Sequence, residues 1–214
     1  TRRDFLDAEA LAVFDAVADL VAAAIHFARV ADELQQANRK LERLSMIDGL
    51  TGIANRRRFD QRLQADWMRL ASEGRPLALL MVDADAFKPL NDACGHLYGD
   101  ECLRELAHIC DRFADGEEDL VGRFGGEELV LLLPGRDLAT ATAIAEALRI
   151  AGEAQAMPHP ASAVAPHVTV SVGVAAALPD VAHPPERLIA AADRALYAAK
   201  QQGRNRIRAE CANP

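Results

Sequence analysis

The chain has 214 residues, of which half are hydrophobic and 26% are charged, with a formal net charge of −8 at pH 7. This composition is typical of a globular protein, and the acidic balance argues against a nucleic-acid-binding protein, which needs positive charge to neutralise phosphates. The sequence contains no apolar run of membrane-spanning length and no recognisable signal peptide, so we expect a cytoplasmic protein whose four cysteines are reduced.

A long helix is predicted at the N-terminus, because the stretch from about Asp7 to Ser45 contains neither glycine nor proline. In its second half, apolar residues recur at alternating steps of three and four: Phe27, Val30, Leu34, Ala37, Leu41 and Leu44. This heptad spacing favours a dimer-forming coiled coil, although a single surface helix has the same pattern. We therefore treat residues 1–45 as a segment separate from a globular domain at 46–210.

The rest of the chain predicts an α+β fold. Helices are expected from near Asn55 to Ser72, from Gly99 to Phe113, in "DLATATAIAEALRIAGEA" and in "PERLIAAADRALYAAKQQG". Apolar runs predict strands at Leu77–Val82, Leu120–Arg123, Leu129–Leu133 and in "HVTVSVGVAAA", with the second and third paired as a hairpin. The stretch "EAQAMPHPASAVAPH" is predicted to be a flexible loop without chemistry. This order predicts a central mixed sheet flanked by helices.

Two acidic clusters lie beside these buried strands. Asp83 and Asp85 end the first strand, and Glu127 and Glu128 lie at the hairpin turn. Carboxylates at neighbouring strand ends provide the oxygen ligands that Mg²⁺ prefers, whereas the alternative is a solvated acidic loop. The glycines of the same turn, Gly125 and Gly126, would let a ligand approach the backbone closely.

Basic and polar residues follow these clusters. Lys88 comes soon after the first cluster, and Lys200 and Arg204 lie four apart near the end of the last helix, on one face if that helix continues. Cations together with a divalent metal are what triphosphate chemistry requires. Asn91 and Asp100 offer an amide and a carboxylate for the edge of a guanine base. His96 is a candidate ligand or contact, but packing is the simpler interpretation.

Five stretches together resemble the GGDEF domain of the diguanylate cyclases. They occur in the family's order and spacing and extend over about Leu44 to Arg208: "DGLTGIANRRRF", "VDADAFKPLNDACGHLYGD", "RFGGEEL", "VSVGVA" and "ADRALYAAKQQGRN". The resemblance implies a fold like the palm of nucleotidyl cyclases and polymerases. It also implies condensation of two GTP into cyclic di-GMP with release of two pyrophosphates, using Mg²⁺ or Mn²⁺, across a homodimer of facing catalytic domains paired by the N-terminal helix.

The resemblance assigns the metal ligands to Asp83, the backbone carbonyl of Ala84, and Glu127, with Glu128 close to a second ion. Glu127 occupies the position expected to help deprotonate the attacking 3′-hydroxyl. Lys88 matches the residue that stabilises charge on the phosphates.

The remaining assignments concern the substrate. Lys200 and Arg204 match positions on the β- and γ-phosphates. The other substrate-binding positions implied by the resemblance are Phe87, Asn91, His96, Asp100, Gly125 and Gly126, with Asn91 and Asp100 on guanine.

Two departures from the family pattern are visible. The signature reads GGEEL, with Leu129 in place of the usual phenylalanine, and we expect altered packing without loss of activity. The family's inhibitory product site is an RxxD ending six residues before the first signature glycine, but here that window runs from Gly116 to Asp119 and lacks the arginine. Arginine grips phosphate, so weak or absent feedback inhibition is predicted. Arg112 to Asp115 spells RxxD four residues too early and is a possible displaced substitute.

The N-terminal segment resembles the last helix of a GAF sensor domain that continues into a cyclase linker. This likeness implies a fragment whose sensor is mostly missing. Two alternatives to an active cyclase are a catalytically silent module that binds GTP or cyclic di-GMP and a purely structural dimerisation module. The intact acidic and basic positions favour the enzyme over both.

Overall fold

The structure is a computed structural model, and the residues that it describes are Val13, Val17, 20–32, Gln35, 46–114 and 116–212. The chain divides into two units, Thr1–Ser45 and Met46–Pro214. In the first unit, residues 20–32 are helical and are called α1. The predicted heptad positions Phe27 and Val30 lie in α1, whereas the other four positions of that pattern lie outside the described residues.

Among its described residues, the second unit contains five helices and five strands. In chain order they are α2 (Arg56–Glu73), β1 (Leu77–Ala84), α3 (Phe87–Cys94), α4 (His96–Phe113), β2 (Leu120–Gly125), β3 (Glu128–Pro134), α5 (Leu138–Ala154), β4 (Val170–Ala177), α6 (Glu186–Gln201) and β5 (Ile207–Cys211). The strands form one sheet in the order β2-β3-β1-β4-β5. Of the four pairs that the described strands form, β4 with β5 is parallel and the other three are antiparallel, so the predicted mixed sheet with a hairpin is confirmed.

The central strand β1 separates two hydrophobic layers. All eight of its residues are buried, because helices cover both faces of the sheet. Alternate side chains point to opposite faces of a strand. Leu80 and Val82 pack in the layer with α4 and α5, whereas Leu79 and Met81 pack in the layer with α2 and α6. The continuous apolar run in the sequence follows from this double burial.

Local signals account for several helix boundaries. The side chain of Asn55 accepts a hydrogen bond from the backbone N–H of Arg58 and caps α2. The Asp137 side chain likewise accepts from the Thr140 N–H at the start of α5. Gly74 ends α2 with a φ of 64°, a left-handed conformation that glycine adopts without steric cost.

Some elements differ from the sequence-based expectations. The short helix α3 was not predicted, and α4 begins three residues earlier than expected, at His96. The edge strand β5 was also missed. The predicted flexible loop before β4 is wrong, because His159 in this loop is buried and its Nε2 lies 3.0 Å from the carbonyl oxygen of Ala86. This contact fixes the loop against the β1–α3 connection.

The four cysteines are free thiols, in line with the sequence-based expectation. Cys94 and Cys211 are exposed, whereas Cys102 and Cys110 are buried. Burial raises the pKa of the Cys110 thiol to about 12. Among the described residues, none of the helices combines the length and the apolar character required to cross a bilayer.

Candidate active site

The register of the sheet brings the predicted acidic residues together. Asp83 near the end of β1 lies directly opposite Glu128, the first residue of β3. Glu127 precedes it in the two-residue turn that joins β2 to β3. Gly126, the other turn residue, has a φ of 51°, so glycine is favoured there for conformational reasons. The hairpin therefore places three carboxylates at one end of the central strands.

This acidic cluster already contains a positive charge. The Lys200 Nζ lies 2.7 Å from an Asp83 carboxylate oxygen, and the Asp83 side chain is only 7% exposed. Burial raises the pKa of Asp83 to about 6, with Lys200 opposing this rise and Glu127 and Glu128 adding to it. Burial also raises the pKa of Glu128. The site therefore favours a cation that can neutralise several carboxylates at once.

The donor atoms at this end of the sheet suit the predicted divalent metal only in part. Among the described residues, no three carboxylate, imidazole or thiolate side chains converge into a ready-made metal site. However, Asp83 and Glu128 are hard oxygen donors on paired strands, and the ammonium group of Lys200 marks a position where a cation is stable. These residues fit a hard cation, with Ala84 following Asp83 along β1.

Asp85 does not belong to this cluster, so grouping it with Asp83 was wrong. It is 2% exposed and lies beyond the end of β1, where the chain turns through a left-handed Ala86. Its carboxylate accepts hydrogen bonds from the Thr169 hydroxyl at 2.8 Å, the Ser171 hydroxyl at 2.7 Å and the Asn205 backbone N–H at 3.0 Å. Asp85 is a structural anchor between β1, β4 and the segment after α6.

The predicted base-binding residues lie on α3 and α4. The Asn91 Oδ1 is buried and has no hydrogen-bond partner among the described residues. A Cβ added to Gly99 would lie 1.9 Å from this oxygen, so glycine at that position leaves room for the amide. Asp100 follows Gly99 and is half-buried. An unpaired buried amide is costly, and a ligand that hydrogen-bonds it would remove this cost.

The other predicted residues of α3 and α4 differ in exposure. Lys88 is exposed one residue after Phe87, whose ring packs against the hydrophobic layer of α4 and α5. His96 is exposed at the start of α4, so the packing role favoured by the sequence is wrong. Gly125 ends β2 and is exposed, and a Cβ at this position would meet no atom within 4 Å.

Lys200 and Arg204 do not share a helix face, because α6 ends at Gln201. The chain then turns through two left-handed residues, Arg204 with a φ of 61° and Asn205 with a φ of 45°. The side chain of Arg204 is exposed, whereas Lys200 reaches the acidic cluster. The turn, and not a continued helix, determines where Arg204 lies.

Arg123 is a site residue that the sequence-based assignment missed. Its guanidinium donates two hydrogen bonds to the Gly126 carbonyl oxygen, at 2.9 and 2.8 Å, and lies 3.2 Å from an Asp48 carboxylate oxygen. Asp48 in turn accepts hydrogen bonds from the N–H and the hydroxyl of Thr51. Arg123 thereby connects the first residues of the second unit to the turn that carries Glu127. A charged side chain two residues before the glycines of "RFGGEEL" was the available signal.

The predicted inhibitory window is an internal contact. The Asp119 side chain is 2% exposed, accepts a hydrogen bond from the Gly116 N–H at 2.9 Å and lies 3.6 Å from the Arg136 guanidinium. Arg112 lies in the last turn of α4, and Asp115 lies outside the described residues.

Comparison with known proteins identifies the family. The family model described as "Diguanylate cyclase, GGDEF domain" matches residues 45–206, which is most of the chain. The chain belongs to this family. The resemblance of the five sequence stretches to GGDEF domains is therefore confirmed.

Curated relatives of this GGDEF domain include two bacterial signalling proteins. The response regulator PleD of Caulobacter vibrioides is 39% identical over 168 residues, covering 77% of this chain and 36% of PleD. The diguanylate cyclase DgcM of Escherichia coli is 37% identical over 175 residues, covering 82% of this chain and 41% of DgcM. The chain thus spans less than half the length of these relatives.

Solved GGDEF structures have the same fold. The coiled coil and GGDEF domain of DgcB from Caulobacter crescentus, in complex with c-di-GMP, matches with a TM-score of 0.70 and 28% identity, covering 90% of this chain and 98% of that one. The diguanylate cyclase SiaD from Pseudomonas aeruginosa, in complex with its activator SiaC, matches with a TM-score of 0.66 and 30% identity, covering 98% of this chain and 79% of that one.

Proposed function

We propose that the protein is a diguanylate cyclase that condenses two GTP molecules into cyclic di-GMP and releases two pyrophosphates. One observation carries the proposal: Asp83 and Glu128 face each other on paired strands, beside the turn with Glu127, and Lys200 lies 2.7 Å from Asp83. Buried carboxylates and a cation at one strand end suit the binding of a metal–triphosphate complex. The names of relatives such as DgcM support the same activity.

The metal is proposed to be Mg²⁺ or Mn²⁺, held by Asp83, the Ala84 carbonyl, Glu127 and Glu128. When bound, it supplies positive charge that neutralises the triphosphate and lowers the pKa of a coordinated hydroxyl. Glu127 accepts the proton of the attacking 3′-hydroxyl. Asp83 is paired with Lys200 in this structure, and a bound metal would take over the neutralisation of this carboxylate.

The phosphate chain is proposed to lie between the start of α3 and the end of α6. Lys88 at the start of α3 neutralises charge that develops on the phosphates. Lys200 and Arg204 hold the β- and γ-phosphates from the other side. Gly125 and Gly126 carry no side chain, so the phosphates can approach the backbone of the turn.

Guanine is proposed to lie over α3 and α4. The buried Asn91 oxygen lacks a partner among the described residues and can accept from guanine N–H groups. Asp100 accepts from the N–H donors on the same edge of guanine. Adenine does not present donors in this arrangement. Exposed His96 contacts the nucleotide, and Phe87 supports this surface from the hydrophobic layer.

Product symmetry requires two catalytic domains. Cyclic di-GMP has twofold symmetry, so each domain of a homodimer would supply one GTP in antiparallel orientation. The apolar side chains of α1 are exposed, including Ile25 at 57% and Phe27 at 73%. Residues 1–45 are proposed to be the end of a sensor domain that continues into a coiled coil and pairs residues 46–210 of two chains. Holding two nucleotides in register can contribute roughly 7–11 kcal/mol to lowering the barrier.

Feedback inhibition by the product is proposed to be weak. The window that carries the inhibitory arginine in the family begins here with Gly116. The remaining carboxylate, Asp119, is 2% exposed and is used by the Gly116 N–H and Arg136. A buried and partnered carboxylate is a poor acceptor for an added guanine base.

The test is to incubate the chain with GTP and Mg²⁺ at several protein concentrations and to quantify cyclic di-GMP by chromatography. Glu127→Gln should abolish synthesis and leave the unfolding temperature unchanged. Glu186→Gln is the matched control, because Glu186 is exposed at the end of α6 remote from Lys200. Specific activity that rises with protein concentration is expected. GTP binding without product at any concentration would instead support a silent binding module.

A further inference from the structure

The turn between α6 and β5 holds two consecutive non-glycine residues in the left-handed region. Arg204 has a φ of 61° and Asn205 a φ of 45°. Residues in this conformation are strained and persist only where the surroundings fix them. Asparagine tolerates this conformation better than arginine does, because its short polar side chain can hydrogen-bond to the local backbone. The contacts that hold this turn are therefore informative.

Asn205 is held by hydrogen bonds from both its backbone and its side chain. Its backbone N–H donates to Asp85 at 3.0 Å. Its side-chain Nδ2 donates to Glu153 at 3.1 Å, and its Oδ1 accepts from the Arg149 guanidinium at 2.8 Å. The backbone N–H of Arg204 also donates to the Ala199 carbonyl oxygen at 3.1 Å, which closes the end of α6.

Arg149 is itself fixed on α5. Its side chain is 14% exposed and makes ion pairs with Glu146 at 2.8 Å and Glu153 at 2.7 Å. The Asp85 carboxylate, which accepts from the backbone N–H of Asn205, is also held by the hydroxyls of Thr169, just before β4, and Ser171, within β4. Asn205 is thus attached on one side to α5 and on the other side to Asp85, which lies two residues after Asp83.

We propose that Arg149 and Asn205 are positioning residues for the triphosphate: they hold the left-handed turn so that Arg204 faces the β- and γ-phosphates. This inference rests on the proposed function, in which Arg204 binds those phosphates. Neither residue touches the nucleotide, and both act through Arg204. A misplacement of about 1 Å in such a contact can cost up to about a hundredfold in rate.

The same contacts would also exist if Asn205 and Arg149 only stabilised the fold, so the experiment must separate the two roles. A positioning role affects ligands that reach Arg204 and spares those that do not. Guanosine monophosphate lacks the β- and γ-phosphates, whereas a GTP analogue with a methylene bridge between the α- and β-phosphates retains the chain and cannot react. The ratio of the two affinities is therefore the readout.

Arg149→Ala, Asn205→Ala and Asn205→Gly would be compared with the unaltered chain by calorimetric titration with Mg²⁺. Asn205→Gly keeps the left-handed backbone and removes the side-chain bonds. Each variant should bind the analogue about tenfold more weakly and bind the monophosphate as the unaltered chain does. Arg194→Ala is the matched control, since Arg194 forms an exposed ion pair with Glu210 outside this network. It should leave both affinities unchanged.

A double-mutant cycle tests whether these residues act through Arg204. In an Arg204→Ala background, Arg149→Ala should cause no further loss of analogue affinity, because the contact that it positions is already absent. Equal losses for both ligands, or a full loss in the Arg204→Ala background, would overturn the positioning role. An Asn205→Gly variant with normal analogue affinity would do the same.

The outcomes also separate this inference from the proposed function. If the unaltered chain binds neither the analogue nor the monophosphate, the proposed substrate is wrong, and the inference is overturned with it. If the unaltered chain binds the analogue and makes cyclic di-GMP but Arg149→Ala has no effect, only the positioning role is overturned. Thermal unfolding of each variant confirms that it is folded before it is titrated.

Discussion

At Gly173 in β4, the backbone of helix α6 packs directly against the sheet. A Cβ built at this residue would lie 2.1 Å from the Ala192 carbonyl oxygen and 2.4 Å from the Leu196 backbone nitrogen. Both atoms belong to the backbone of α6, so no side-chain rotation can relieve the contact. Gly173→Ala therefore forces the helix away from the strand.

The size of the effect follows from these distances. An ordinary contact between such atoms is about 3.5 Å, so α6 would have to withdraw by more than about 1 Å. Added groups in a packed core cost about 1–3 kcal/mol, and a rigid helix backbone places this substitution at or above the upper limit. About 3 kcal/mol corresponds to a decrease of roughly 6–12 °C in unfolding temperature for a chain of this size.

Thermal unfolding followed by circular dichroism measures this decrease. Gly152→Ala is the matched control with the opposite expected sign, because a Cβ at Gly152 would meet its nearest atoms at 3.8 and 3.9 Å. Alanine in a helix is favoured over glycine by up to about 1 kcal/mol, so this variant should be more stable. A Gly173→Ala variant that unfolds at the same temperature as the unaltered chain would refute the argument that α6 packs through this glycine.

Three further predictions concern charge and hydrogen bonding. The pKa of Asp83 is raised to about 6, so protons compete with the metal for this carboxylate below pH 6. The affinity for Mn²⁺ should therefore be about tenfold lower at pH 5 than at pH 7. Equal affinities at the two pH values would contradict this prediction. Arg123→Ala removes both hydrogen bonds to the Gly126 carbonyl oxygen, in the turn that carries Glu127. This variant should still bind GTP but synthesise cyclic di-GMP at least about tenfold more slowly. An unchanged rate would show that Arg123 does not position this turn. Trp67→Phe removes an indole N–H that donates to two backbone carbonyl oxygens. The free energy of unfolding, measured by urea denaturation, should decrease by about 1–2 kcal/mol. An unchanged free energy would mean that these hydrogen bonds do not stabilise the fold.

The strongest sequence signals came from strands that are buried on both faces. The runs beginning at Leu77 and Leu129 are continuous apolar segments, and both were predicted because few other structures require that composition. Glu127 and Glu128 were assigned to a binding site because they lie directly beside such a buried strand. Charges beside a buried strand are costly unless they are used.

The missed features depend on tertiary contacts. The helix α3 has only eight residues and contains Pro89, so its local pattern is weak. The edge strand β5 is mostly exposed and carries two charged residues, and it becomes a strand by pairing with β4. Asp85 lies only two residues after Asp83, but it follows the end of β1 and its carboxylate accepts hydrogen bonds from the Thr169 and Ser171 hydroxyls, so no spacing rule could separate the roles of the two aspartates. The buried His159 was likewise hidden in a stretch rich in alanine and proline, which has no regular apolar pattern.

The exposure of the thiols makes two of the four cysteines available for selective chemical labelling. Cys94 ends α3, the helix that carries Asn91, and it is exposed, as is Cys211 in β5. Cys102 and Cys110 are buried, so a maleimide dye should label two positions under native conditions and four after denaturation. A fluorophore at Cys94, in a Cys211→Ser background, would report nucleotide arrival at α3 without any mutation in the site itself.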